Sequence, residues 1–121
     1  MIRQEIKEEI VEHVYERYLI HYPELMVYYD DIKLAHIKQD TLYHLEHLES
    51  TWPMKMDVIF LDYTEWVDTV LTSRGIETKL LEDCFIWMKE FMLSYEQDEE
   101  FSYYTSLLSQ AAQLLQNEKS K

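Results

Sequence analysis

Four side chains able to bind metals or carry protons are His36, Asp40, His44 and His47, at steps of four, four and three residues. On a helix such steps line them along one side. Histidine and carboxylate together are a donor set for zinc or iron. The line nevertheless spans about 16 Å at 1.5 Å rise per residue. One metal could use only an adjacent pair of its members, with further ligands from elsewhere. The chain has no HExxH and no paired Glu-x-x-His, so a zinc protease or di-iron bundle lacks its ligands. The structural alternative is a hydrogen-bonded Asp40–His44 pair packed at the helix edge. A pH-responsive or ligand-touching role is the third reading.

Other chemistries find weaker support. Any of the five histidines could be proposed as a heme ligand, but nothing selects one and no CxxCH is present. Cys84 falls inside an apolar helical pattern with no nearby histidine to activate it, which suits a small core residue. Ser73 and Ser94 have no nucleophile context, and the carboxylates are too numerous for any one to stand out. The expectation is a protein that is not an enzyme. Phe60, Tyr63, Trp66, Phe85, Trp87 and Phe91, with six methionines, could line a hydrophobic tunnel; ordinary core packing explains them as well. If a ligand binds, its apolar tail would fill a gap between the Trp66 and Phe85–Phe91 stripes, Met88 included. Arg74, His44 or Tyr63 would hold its carboxylate. Arg74 could equally hold a halide, or only complement a helix end.

The elements that position these residues follow from composition. The chain has 121 residues and a single Gly, far below the usual share of about 7%. Folds rich in tight turns, and loops that cradle phosphate, need more glycine than this. Lys and Arg number 11 against 24 Asp and Glu, a net charge of −13 that repels nucleic acid and anionic lipid. No apolar run approaches the roughly 20 residues of a membrane span. The N-terminus does not read as a signal peptide, so a cytoplasmic protein is expected. A content of 47% hydrophobic and 14% aromatic residues separates the chain from disordered acidic sequences. One domain over 1–117 and a disordered tail at 118–121 are expected.

Helical periodicity runs nearly throughout. Ile2, Ile6, Ile10, Val14 and Tyr18 recur every four residues, with glutamates on the other faces. Pro23 ends that helix and opens a short one over 24–29. A third helix starts at Asp30 or Asp31 as N-cap, shows Leu34, Ile37, Thr41, Leu45, Leu48 and Trp52 on one face, and closes at Pro53. Asp57 is expected to cap a fourth, whose buried stripe is Ile59, Phe60, Tyr63, Trp66, Val67, Val70 and Leu71. Arg74-Gly75 ends it, the one glycine standing where a left-handed residue is wanted. A fifth helix from Thr78 has a wide apolar arc. Asp98 can cap a sixth, with the stripe Phe101, Tyr104, Leu108, Ala111 and Leu115. The wide arcs of the last two helices need cover, some of it from the chain's own helices and the rest from a partner, giving a homodimer interface.

The stretch from His36 to Leu81 carries a recognisable pattern: Asp40, Tyr43-His44-Leu45, Leu48, Phe60, Asp62-Tyr63, Trp66, Val70-Leu71 and Arg74-Gly75. It resembles the globin-like, heme-free sensor domain of Bacillus sporulation histidine kinases, a group that includes small stand-alone sensor-domain proteins. The resemblance implies an all-α, globin-like bundle of five to six helices with a fatty-acid-sized tunnel, a chloride or other halide site and a dimer. It also implies a non-catalytic role: modulating a sporulation or stress kinase pathway by titrating the signal. No kinase or output module is legible, which suits a free-standing sensor or decoy. The alternative is an acidic helical dimer acting purely as an interaction module. A heme- or metal-binding helical protein is the third reading.

Overall fold

A computed structural model describes residues 2–95 and 97–117, together with the helical backbone of 118–119. Among the described residues there are six α-helices and no strand. They are α1 (Gln4–His21), α2 (Leu25–Tyr28), α3 (Asp31–Ser50), α4 (Asp57–Ser73), α5 (Thr78–Met92) and α6 (Glu99–Lys119), with a 3-10 turn at Leu93–Tyr95. The tail expected over 118–121 overlaps the end of α6 and otherwise lies outside the described residues. No described helix is long and apolar enough to cross a membrane.

The stripes become the core. On α1, Ile6, Ile10, Val14 and Tyr18 are buried, joined by Ile2 just before the helix. On α6, all five expected residues are buried, with Leu107 and Ala112 beside them. The wide arc of α5 is used on several sides, because this helix packs against α6, α1 and α4. Its Phe85, Met88 and Met92 are fully enclosed. Helix α1 also lies on α3, and α4 on α6.

Helix ends follow local chemistry. Asp30 caps α3, its side chain accepting from the Lys33 N–H at 2.9 Å. Asp98 accepts from the N–H groups of Glu100 and Phe101 at the start of α6. Asp57 departs from expectation: Met56 holds the N-cap position, and Asp57 instead accepts a hydrogen bond from the Tyr103 hydroxyl at 2.9 Å. Its carboxylate ties α4 to α6. After α4, Gly75 adopts φ 83°. The Gly75 N–H then reaches Thr72 O, and the Ile76 N–H reaches Leu71 O, both at 3.0 Å. This double closure satisfies the last carbonyls and folds Ile76 back over Leu71.

The N-terminus is sewn down by a pairing that periodicity does not reveal. Glu49 on α3 is buried, and its carboxylate accepts from the Ile2 N–H at 2.7 Å and from Lys7 Nζ at 2.9 Å. Burial of this carboxylate is compatible with folding because both of its oxygens are engaged.

Candidate functional site

The Gly75 turn, the short α2 and the first half of α3 surround a cleft of about 470 Å³. Its apolar wall is Leu25, Ile37, Leu71, Ile76, Leu80 and Leu81. Tyr18, Thr41, His44 and Cys84 are the buried polar groups along it. The exposed rim carries Lys33, His36, Gln39, Asp40 and Arg74. Each contributor is placed by a local rule. Pro23 breaks the chain so that α2 can set Leu25 inward, and the glycine turn brings Ile76 onto Leu71.

His44 is the most constrained group of the cleft. It is 4% exposed, and its Nδ1 lies 2.6 Å from the Tyr63 hydroxyl. Phe85 meets the ring edge-on at a centroid distance of 5.5 Å. Burial, reinforced by the neighbouring His47, lowers its pKa to about 3, so the ring is neutral at pH 7. Burial likewise raises Tyr63 above the ordinary tyrosine range. The expected Asp40–His44 hydrogen bond does not form: His44 turns inward to Tyr63, while Asp40 stays on the exposed rim. Burial raises Asp40 from the ordinary aspartate value, against the pull of His36 and Arg74.

Cys84 sits deep in the cleft, 3.8 Å from Thr41 Oγ1, which itself donates to Ile37 O at 2.8 Å. Burial pushes its thiol up to about 12, which leaves it protonated and a poor nucleophile. Across the cleft the Tyr18 hydroxyl donates to Leu80 O at 2.6 Å, fixing α1 to the start of α5. Among the described residues neither Lys33 nor Arg74 forms an ion pair. Two cations thus stand at the rim without an ion pair: Lys33 lies over the Tyr29 ring at 5.7 Å, and Arg74 acts on Asp40 only through its field.

The seven expected ligand residues divide. His44 and Arg74 line the cleft, and Tyr63 supports it through His44. Phe85 and Met88 are fully buried core, and Phe91 packs near His13 and Tyr95. Trp66 is 57% exposed on the outer face of α4. The expected gap between the Trp66 and Phe85–Phe91 stripes is thus displaced. The opening lies at the C-terminal end of α4, around Arg74, while Phe60 and Phe85 pack directly on each other at 5.4 Å. Of the helical His/Asp line, His36, Asp40 and His44 border the cleft, whereas His47 stacks on Tyr63 at 4.0 Å. No group of three or more His, Cys, Asp or Glu placed to hold a metal occurs among the described residues.

Sequence reasoning missed Lys33, Leu25, Ile76 and Leu80. The signal lay in the breakers: Pro23 and Gly75 mark the two turns whose neighbours converge on the cleft. Comparison of the chain with known proteins gave no match to a family model, to a curated protein or to a solved structure.

Proposed function

We propose that this chain is a cytoplasmic, non-catalytic sensor domain with a globin-like arrangement of its helices, and that its cleft takes a small amphipathic anion. A fatty acid is the ligand class that fits. Its tail would lie along Leu71, Ile76, Leu80 and Leu81, and its carboxylate would face Arg74 and Lys33. The observation that carries this reading is that Lys33 and Arg74, neither in an ion pair among the described residues, both line the rim of an apolar cleft in a chain of net charge −13. Such a surface repels anions on average, so two cations beside an apolar cleft have selective value. A chloride held at the same pair is compatible with this arrangement.

Occupancy would act through position. Leu80 and Leu81 belong to α5, which packs on α6. A ligand favouring one packing of α5 shifts the population of the surface that a partner reads. The resemblance over His36–Leu81 supplies the pathway of the proposal: titration of a signal otherwise read by a sporulation or stress histidine kinase.

Solvent extraction of purified protein followed by mass spectrometry, with thermal unfolding in added fatty acids, tests the ligand. A bound carboxylic acid and a raised Tm are expected. Absence of both overturns the reading.

One observation favours the second reading, a helical dimer acting as an interaction module. Ile20, Met26, Val27, Tyr28 and Ile32, around α2, are all exposed, Val27 at 77%. That is more large apolar surface than one short turn needs. Sedimentation of wild type against Met26→Ser/Val27→Ser decides it, with a dimer lost in the variant as the expected result.

A further inference from the structure

Helix α4 turns a second, different face outward. Ile59, Asp62, Glu65 and Trp66 follow helical spacing and are all exposed. Across the α3–α4 groove, Tyr43 is 50% exposed. Tyr63 joins the two sides. Its ring lies 6.2 Å from Trp66, 6.1 Å from Tyr43 and 4.0 Å from His47, on which it stacks. The buried Tyr63 thus underlies and connects the exposed Tyr43 and Trp66 and the half-buried His47. Tyr63 is anchored from beneath by His44, so the platform is held in place before anything binds.

The carboxylates around the rings are equally telling. Glu46, Asp62 and Glu65 are exposed, and none forms an ion pair among the described residues. Exposed aromatic faces beside unneutralised carboxylates attract guanidinium and ammonium groups, by cation–π contact and by charge-assisted hydrogen bonds. A second copy meeting this face through a two-fold axis would set the same three carboxylates against one another. Nucleic acid and anionic lipid are repelled for the same reason.

We infer that the α3–α4 face, centred on Tyr43 and Trp66, docks a basic amphipathic helix of a partner protein. That helix would lay apolar side chains against the exposed Tyr43, Ile59 and Trp66. Its Arg or Lys side chains would meet Glu46, Asp62 and Glu65. This surface is separate from the cleft, and the inference does not rest on the ligand proposal.

The test is an NMR titration of the isotope-labelled full chain with a synthetic helical peptide bearing leucine at helical spacing and arginine between. An isomer carrying glutamate in place of arginine serves as the control. Signals of Tyr43, Glu46, Asp62 and the Trp66 indole are expected to shift with the arginine peptide only. Trp66→Ser should weaken binding about tenfold, in the range of an interface hot spot. Asp62→Asn/Glu65→Gln should weaken it several-fold, and Glu8→Gln/Glu9→Gln on α1 should leave it unchanged. The inference is overturned by shifts that map to the α1 glutamates, by equal loss in the α1 variant, or by equal binding of the glutamate peptide. Self-association through Trp66 in sedimentation, or no shift at all, overturns it too.

Discussion

His44 and Tyr63 meet at 2.6 Å across α3 and α4, and both are neutral because burial lowers the histidine and raises the phenol. The bond joins the cleft on one side to the aromatic platform on the other. Tyr63→Phe strands a buried ring nitrogen, which should cost about 1–3 kcal/mol. In urea unfolding the midpoint should fall with the slope unchanged. The double variant His44→Leu/Tyr63→Phe should be more stable than the sum of the single changes implies, since neither partner is then left alone.

The same burial fixes a pH dependence. Unfolded, His44 takes up a proton near 6.5; folded, it resists until about 3. Between those values the unfolded chain binds more protons, so stability falls as pH falls, by up to about 1.4 kcal/mol per pH unit from this group. His47 is lowered as well and adds in the same direction. Denaturation at pH 7, 5.5 and 4.5 should show the decline, and His44→Phe should flatten it. An equally steep decline in that variant would count against the assignment.

Glu49 holds the N-terminus to α3 through Ile2 and Lys7. Replacing one member of a buried ion pair leaves the other charge uncompensated. Glu49→Leu should cost about 3 kcal/mol or more. Exchanging both, Lys7→Met with Glu49→Leu, should restore part of the loss, the Ile2 N–H still lacking its acceptor. Hydrogen exchange in the first turns of α1 should quicken in the single variant and slow again in the double.

At the cleft, Arg74 is exposed and forms no ion pair among the described residues, so Arg74→Ala should change stability by no more than about 0.5 kcal/mol. If the cleft takes a carboxylate, the same change weakens fatty-acid binding about tenfold, the worth of one charge-assisted contact. Lys33→Ala should weaken it less, and raised salt should weaken it in wild type. Calorimetric titration with one fatty acid across these variants reads all three.

Much of the fold was legible because its signals are local. Pro23 and Pro53 close helices, Asp30 and Asp98 cap them, four-residue steps mark the face of α1, and alternating three- and four-residue steps mark that of α6. Gly75 named its own conformation. The site was less legible because it depends on which helices become neighbours. His44 was visible as a candidate, but its partner Tyr63 lies 19 residues away on another helix. Trp66 and Ile59 stand at the edge of the apolar stripe of α4, to the side of the buried line Phe60, Tyr63, Thr64, Val67 and Leu71, and the neighbouring helices leave that edge exposed. Periodicity assigns a face to a residue; it does not say how wide an arc of that face the neighbouring helices cover.

Cys84 gives the cleft a clock. It is the chain's one cysteine, buried among Thr41, Met88 and the cleft wall, with its thiol pushed up to about 12. While the helices stay closed, a thiol reagent meets neither access nor thiolate. The rate at which such a reagent labels the native protein therefore counts the moments when α3 and α5 part. A molecule that fits the cleft will reveal itself by slowing that count, with no need for a signal of its own.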